Sequence, residues 1–146
     1  MMTSNNRLDW RRYALGIAEV AALRSEDVVK VGACALDHEN RVIGVAYNGL
    51  APGKTVSEDF WVDRDNRRKY MIHAETNLLS LFSRGQCKTI ACTLSPCSAC
   101  AAMIAGYGIQ EVVYKEKYEK DLNAIEIFKF YGISCNQIEK SVKDLL

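Results

Sequence analysis

The spacing of apolar residues predicts that the chain begins with a helix followed by a β-hairpin. Between Asp9 and Ser25, apolar residues recur every three or four positions, which is typical of an amphipathic helix, and Asp9 is a suitable N-cap. Residues 28–36 and 42–47 are rich in β-branched and small side chains and predict two strands, joined by a turn at residues 37–40.

The rest of the chain alternates between helical and strand patterns. Helices are predicted at 73–82, 97–107 and 121–131, and strands at 89–94, 111–115 and 133–138. The stretch 48–72 has no sustained period and is interpreted as a long functional loop. Alternating strands and helices after a hairpin predict an α/β fold with a mixed sheet covered on both faces.

Within that loop, residues 63–69 form a charged, mainly basic run. Its simplest interpretation is a solvated surface whose charges pair locally. The more specific alternative is that the run binds a phosphate group, or carboxylates from a neighbouring subunit.

Length and composition indicate one domain over residues 1–146, with an ordinary hydrophobic fraction of 49%. The formal net charge of +1 provides no broad field for nucleic acid, so a small-molecule substrate is expected. The apolar runs are far shorter than a membrane span and the polar start has no signal-peptide core, so we expect a cytoplasmic protein away from membranes. For the six cysteines this favours metal ligands or free thiols over disulfides.

The strongest chemical signal is the segment Ser95-Pro96-Cys97-Ser98-Ala99-Cys100. Pro96 favours a helix that begins at once, and two cysteines three positions apart on a helix share one face. The positive end of that helix lowers thiol pKa values and favours the thiolates that bind a soft divalent metal.

A second segment, His73-Ala74-Glu75, supplies what this pair lacks. One histidine with two cysteines is a common ligand set for zinc, here one ion per chain with water in the fourth position. Glu75 can handle the protons of that water without binding the metal, provided that His73 lies at or just before the first helical turn. The order H-x-E, then P-C-x-x-C, is typical of zinc-dependent nucleobase deaminases.

Two other interpretations of these residues remain open. A structural zinc site closed by Cys34, Cys92 or His38 would leave Glu75 and Pro96 without a role. A metal-free redox pair formed by the two cysteines of the motif does not require an upstream H-x-E.

With these motifs in place, the sequence resembles the deoxycytidylate deaminases of the cytidine deaminase-like superfamily. The blocks that match, in the family's order, are Arg24-Ser25, Val31-Gly32-Ala33-Cys34, Tyr47-Asn48-Gly49, His73-Ala74-Glu75, the Pro96-Cys97 motif and Gly108-Ile109 with Val112-Val113-Tyr114. The resemblance implies a three-layer α/β/α sandwich with a mixed five-stranded sheet, zinc on His73, Cys97 and Cys100, and Glu75 as the proton shuttle.

The resemblance also implies the substrate contacts. Asn48 would contact the deoxyribose, Arg24 and Ser25 the 5′-phosphate, and Tyr118 would cover the base. Ala74 and Ser95 belong to the matching blocks and are expected to bind substrate as well. Taken without the resemblance, Arg24 could equally be a surface residue and Tyr118 part of the core.

The implied reaction is the hydrolytic deamination of dCMP to dUMP, which supplies dTTP synthesis. A contact from Lys54 would extend it to dCTP, and 5-substituted dCMP is a further candidate substrate. Some family members carry a second zinc, but residues 49–72 contain no Cys or His, so one zinc is expected. The shifted Pro52-Gly53-Lys54 also puts regulation by dCTP and dTTP in doubt. We further expect a homo-oligomer, with a hexamer favoured and a dimer or a tetramer as the alternatives.

Two functions from other classes compete with this one. A nucleic-acid base deaminase, acting on adenosine or cytidine in tRNA, shares both motifs. A non-catalytic zinc-binding interaction module would hold one closed zinc and deaminate nothing.

Overall fold

The computed structural model describes residues 7–145 and contains alternating helices and strands. The helices are α1 Trp10–Ala22, α2 Arg64–Tyr70, α3 Ala74–Leu79, α4 Ser98–Gly106, α5 Asn123–Phe130 and α6 Val142–Leu145, with a short 3-10 helix at Glu58–Trp61. The strands are β1 Gly32–Asp37, β2 Val42–Tyr47, β3 Cys87–Leu94, β4 Glu111–Glu116 and β5 Ser134–Gln137. Residues 1–6 and 146 of the predicted domain lie outside the described part.

The strands form one mixed five-stranded sheet in the order β2-β1-β3-β4-β5. The hairpin strand β1 pairs antiparallel with both β2 and β3, whereas β3, β4 and β5 run parallel to one another. The C-terminal ends of β3 and β4 therefore lie side by side at one edge, where open α/β sheets bind ligands.

Two buried clusters cover the faces of the sheet. On one face, Ala14, Leu15 and Ala18 of α1 pack against the sheet. The other buried residues of this cluster lie in or next to the strands, namely Cys34, Leu36, Ala91, Val113 and Ile138. On the other, α3, α4 and α5 contribute Leu78, Ile104 and Phe128 to the larger cluster. The predicted α/β/α sandwich with a mixed five-stranded sheet is confirmed.

Strand β1 begins where it touches α1. A Cβ atom on Gly32 would lie 1.9 Å from the backbone oxygen of Ala18, so only glycine permits this approach. The strand predicted at 28–36 was too long, because Val28 and Val29 are exposed. The side chain of Asn48 accepts a hydrogen bond from the Val31 N–H and donates one to the Val29 carbonyl, which replaces strand pairing in this segment.

The prediction that 48–72 is a long functional loop without helices was wrong over its second half. This part contains the 3-10 helix and α2, whose N-cap Asp63 accepts a hydrogen bond from the Asn66 N–H at 3.2 Å. The seven residues of α2 include no apolar stripe, so hydrophobic periodicity could not reveal the helix. The C-terminal helix α6 was also not predicted.

Candidate metal centre and active site

His73 and Glu75 lie at the start of α3. His73 is the extended N-cap residue, and Glu75 lies in the first turn with 4% of its surface exposed. This confirms the requirement that His73 immediately precede the helix. The backbone of His73 is extended rather than helical. The His73 side chain can therefore approach the cysteine motif, although Glu75 follows only two residues later in the helix.

Cys97 and Cys100 lie at the start of α4, just after the C-terminal end of β3. Cys97 is the N-cap residue and Cys100 is buried in the first turn. As predicted, the two thiols meet at the end of a strand and the beginning of a helix, where the unpaired backbone N–H groups favour negative charge.

The ligand atoms have the spacing that zinc requires. His73 Nδ1 lies 3.4 Å from Cys100 Sγ and 3.5 Å from Cys97 Sγ. A tetrahedral zinc with ordinary bond lengths sets a nitrogen-sulfur separation of about 3.6 Å. All three ligand atoms lie within 4.8 Å of one another, and no other such group of three occurs among residues 7–145. The residues therefore fit a zinc ion.

The candidates for a fourth protein ligand lie elsewhere. His38 Nε2 is 3.0 Å from the carbonyl oxygen of Gly85, and Cys34 and Cys92 are buried in the two cores. Burial raises the pKa of both thiols, Cys34 to about 12. The centre is thus a three-residue site, which leaves a zinc coordination position for water or substrate.

Hydrogen bonds among the three ligand side chains shift their pKa values in opposite directions. A hydrogen bond from Cys100, followed by the contact with His73, lowers the pKa of Cys97 to about 4. The same hydrogen bonds raise the pKa of Cys100 and of His73. Metal binding must therefore release protons from this group.

Glu75 is the buried carboxylate beside this centre. Desolvation raises its pKa to about 7, although a hydrogen bond from Cys100 and the charge of His73 oppose the shift. A carboxyl group with a pKa near the working pH can both accept and donate a proton.

A cavity of about 360 Å³ opens next to the centre, a size suited to a small ligand. Most of the predicted site residues line it, namely Asn48, His73, Ala74, Glu75, Ser95, Cys97 and Tyr118. Cys100 joins them through the metal centre.

Arg24 and Ser25 are placed differently. The guanidinium carbon of Arg24 lies 5.9 Å from the centre of the Tyr47 ring, and the Ser25 hydroxyl is buried and donates to the Asn48 carbonyl oxygen at 2.9 Å. Neither residue lines the cavity. Their expected phosphate contact stays a prediction.

Asn48 has only part of its side chain free for a ligand. Its amide donates to the Val29 carbonyl at 2.8 Å and to Asp27 Oδ2 at 3.3 Å, while its Oδ1 accepts from the Val31 N–H at 2.9 Å. Both amide hydrogens are used, so the remaining capacity is one lone pair on Oδ1. Asn48 can therefore serve a ligand as an acceptor only.

Two tethers hold the segment after β4 against the metal motif. The Tyr118 N–H donates to Ser95 Oγ at 2.7 Å, and both the N–H and the hydroxyl of Ser98 donate to Asp121 Oδ2 at 2.8 Å. These bonds place Tyr118 and Lys120 on the cavity wall.

Sequence reasoning missed the cavity residues of α2 and of its C-cap, Met71. Arg64, Arg67, Arg68 and Met71 all line the cavity. Their spacing of i, i+3, i+4 and i+7 is the signal that could have revealed them, since it defines one face of a helix. Because three of these positions are arginine, the run looked like a solvated surface.

Comparison with known proteins agrees with this site. The sequence profile of the family "Cytidine and deoxycytidylate deaminase zinc-binding region" matches residues 8–116. Deoxycytidylate deaminase of Mus musculus is 32% identical over 143 residues, which cover 87% of this chain and 78% of the mouse protein. ComE operon protein 2 of Bacillus subtilis is 31% identical, over 91% of this chain and 73% of that protein.

The fold is also found among solved structures. The dCMP deaminase of cyanophage S-TIM5 superposes with a TM-score of 0.73, at 23% identity, over 88% of this chain and 96% of the phage chain. From the matched profile and the similarity to the mouse enzyme, we conclude that this chain belongs to the cytidine and deoxycytidylate deaminase family, and His73, Cys97 and Cys100 form its candidate zinc site.

Proposed function

We propose that this protein hydrolyses dCMP to dUMP and ammonia, with one zinc per chain held by His73, Cys97 and Cys100. The observation that carries the proposal is the buried carboxylate of Glu75 beside a three-ligand centre in a cavity of nucleotide size. Two further findings support dCMP as the substrate. The similar mouse protein is a deoxycytidylate deaminase, and the cyanophage enzyme with the same fold has been solved in complex with dCMP and dUMP.

The chemistry divides between the metal and Glu75. When bound, zinc polarises water and lowers its pKa towards neutrality. The Glu75 carboxylate accepts a proton from the attacking water as a carbon–oxygen bond forms at the amino-bearing carbon of cytosine. It then returns a proton to the amino nitrogen, which leaves as ammonia when its bond to carbon breaks. One water is consumed for each dUMP and ammonia formed.

The cavity wall supplies the substrate contacts in this proposal. The free lone pair of Asn48 Oδ1 accepts a hydrogen bond from the deoxyribose hydroxyl. Tyr118 covers the base, with its backbone fixed by Ser95, and Ala74 forms the buried wall next to Glu75. The family resemblance assigns the phosphate to Arg24 and Ser25, and dCTP and 5-substituted dCMP are further substrates to test.

We further propose that residues 1–146 form a single deaminase domain that assembles as a homo-oligomer, with a hexamer favoured. Large apolar side chains exposed on and beside α5, including Phe130 at 82% and Tyr131 at 60%, provide surface for such assembly. A cytoplasmic location is supported by the six cysteines, all of which are free thiols. No helix among residues 7–145 is long and apolar enough to span a membrane.

A substrate panel tests the proposed function. Zinc-loaded protein is incubated separately with cytidine, dCMP, dCTP, 5-methyl-dCMP and a tRNA anticodon stem-loop, and loss of the amino group is followed by absorbance or mass. We expect dCMP to have the highest kcat/KM. Deamination of the RNA with no reaction of any free nucleotide would replace this function by the nucleic-acid alternative, and no reaction at all would favour the non-catalytic module.

A further inference from the structure

One segment of the cavity wall is not held by the hydrophobic core. Residues 117–122 join β4 to α5, and Tyr118, Glu119 and Lys120 of this segment line the cavity. None of the residues 117–122 is buried. Segments with few buried apolar contacts open most easily, so the position of this one depends on its hydrogen bonds.

These hydrogen bonds all lead to the metal motif. In the described part of the chain, apart from bonds within the segment and to the helix that follows it, three hydrogen bonds hold it in place. The Tyr118 N–H donates to Ser95 Oγ at 2.7 Å. Asp121 Oδ2 accepts from both the N–H and the hydroxyl of Ser98 at 2.8 Å. Ser95 and Ser98 flank Cys97, so the segment is tied to the turn that carries this zinc ligand.

Asp121 supplies the capping acceptor that Cys97 does not provide. Cys97 is the N-cap residue of α4, but its side chain makes no capping hydrogen bond. Its Sγ lies instead 3.5 Å from His73 Nδ1 in the metal centre. An unpaired N–H at the start of the helix, that of Ser98, is therefore satisfied by a carboxylate from a distant segment. The start of α4 thus has two external anchors, the metal centre and Asp121.

The anchor at the metal centre is strong only when zinc is bound. The Cys97 side chain contacts Cys100 and His73 through hydrogen bonds of sulfur, which are weak. A zinc ion on these three residues would replace them by metal–ligand bonds that join the start of α4 to the start of α3. Metal binding therefore restricts the turn from Ser95 to Ser98, and with it the segment that is tied to this turn.

We propose that Ser95 and Asp121 are positioning residues that couple the wall of the cavity to the metal. Through their hydrogen bonds, zinc binding orders residues 117–122 and fixes Tyr118 beside the cavity, so the substrate site is complete only in the zinc-loaded protein. That the substrate is dCMP rests on the proposed function, whereas the zinc-dependent ordering of the segment does not.

Amide hydrogen exchange, followed by NMR, measures this ordering without turnover. In the zinc-loaded wild type, the Tyr118 amide should exchange at least about tenfold more slowly than in the metal-free protein. The turn at residues 37–41 is the internal control. There, the Asp37 carboxylate likewise accepts from the N–H groups of Glu39 and Arg41, but at the opposite end of β3 from the metal motif. Zinc should change exchange in this turn by less than about twofold.

Two variants remove the tethers and leave the metal ligands in place. When zinc-loaded, Ser95→Ala and Asp121→Ala should each keep one zinc per chain and speed exchange of the Tyr118 amide about fivefold or more, because each lacks a hydrogen-bond acceptor. Asp121→Asn should largely restore slow exchange, since its amide oxygen can accept the same two hydrogen bonds. Lys117→Ala is the matched control and should exchange as the wild type does, because Lys117 is exposed and does not line the cavity.

Kinetics with dCMP separate positioning from a general loss of stability. Asp121 does not line the cavity, so it can affect the substrate only through the residues that it holds. Asp121→Ala should raise KM at least about threefold, because binding must then order the wall, and should leave kcat within about twofold, because Glu75 and the ligands are unchanged. Asp121→Asn and Lys117→Ala should have a KM close to that of the wild type.

Four results would each overturn the proposal. The first is exchange of the Tyr118 amide at the same rate with and without zinc. The second is equal slowing in the turn at residues 37–41, which would mean that zinc acts on global stability. The third is wild-type exchange in both zinc-loaded alanine variants, and the fourth is a wild-type KM for Asp121→Ala. Zinc-dependent ordering in a protein that does not deaminate dCMP would instead refute the proposed function and leave this proposal standing.

Discussion

Arg67 and Asp27 form an ion pair with a distance of 3.2 Å between Nε and Oδ1, and 11% and 10% of their side chains are exposed. The other oxygen of Asp27 accepts a hydrogen bond from the Asn48 amide. A single carboxylate therefore joins α2, whose arginines line the cavity, to Asn48 on the cavity wall. Through this network the position of α2 depends on one buried charge pair.

Removal of Arg67 should destabilise the protein strongly. In Arg67→Met, the Asp27 carboxylate stays buried without its partner, and loss of one member of a buried pair costs about 3 kcal/mol in free energy of unfolding. Urea denaturation of the metal-free and zinc-loaded protein measures this. Lys69→Met, on the exposed side of the same helix, should change the free energy of unfolding by less than about 0.5 kcal/mol.

A second change should restore most of the lost stability. Asp27→Asn combined with Arg67→Met leaves no uncompensated charge, so the double variant should be more stable than Arg67→Met alone. A double variant as unstable as the sum of both single changes would mean that the two side chains do not act as a pair.

Asp121 should stabilise the folded protein only at pH values at which its carboxyl group is ionised. Hydrogen bonds from the Ser98 backbone and hydroxyl lower the pKa of this carboxyl below its ordinary value of 3.8. The folded state therefore binds the proton less readily than the unfolded state, so the stabilisation is complete above about pH 4 and is lost as the pH falls through the folded pKa.

Comparison with Asp121→Asn tests this dependence. Asparagine does not titrate, so the stability difference between wild type and variant should shrink as the pH is lowered from about 6 to 3. Denaturation with urea at each pH measures the difference. A constant difference over this range would show that Asp121 does not hold the segment after β4 against Ser98.

Zinc binding should depend on all three ligands and on pH. Cys97→Ala and Cys100→Ala should each lose the metal and the activity together, whereas Cys135→Ser, a half-buried thiol in β5, should keep one zinc per chain. Affinity should fall as the pH is lowered, because His73 and Cys100, whose pKa values are raised, must lose protons to bind.

Elemental analysis and competition with a chromophoric chelator measure zinc content and affinity. Two zinc ions per wild-type chain, or one zinc retained by Cys100→Ala, would contradict the assignment of the ligands.

The sequence predicted each half of the candidate metal centre because the geometry of each half is local. The spacing of Cys97 and Cys100 after Pro96, and of Glu75 after His73, places each pair at one helix start without knowledge of the tertiary fold. The sandwich followed from alternating apolar patterns that each span several turns or a whole strand. Both features depend on residues that are close to one another in the sequence, so they can be predicted from a single sequence.

The cavity wall was less predictable because it depends on contacts between distant segments. The Asn48 side chain replaces strand hydrogen bonds for Val29 and Val31, so β-branched residues there do not form a strand. The arginines of α2 face inward because Arg67 pairs with Asp27, forty residues away in the sequence. Neither partner is visible in local periodicity, and the basic run was therefore interpreted as solvated surface.

The central claim is that Glu75 moves the protons of dCMP deamination at the zinc centre, and Glu75→Gln tests it most directly. Glutamine keeps the size of the side chain and cannot accept the proton. Rates of dUMP formation from dCMP are measured for wild type, for Glu75→Gln and for Glu58→Gln, an exposed carboxylate that does not line the cavity. Zinc content is determined on the same samples.

We predict one zinc per chain in all three proteins, a normal rate for Glu58→Gln, and a kcat for Glu75→Gln lowered by at least roughly 10²–10⁴-fold. A zinc-containing Glu75→Gln protein that converts dCMP to dUMP at a rate close to that of the wild type would contradict the account.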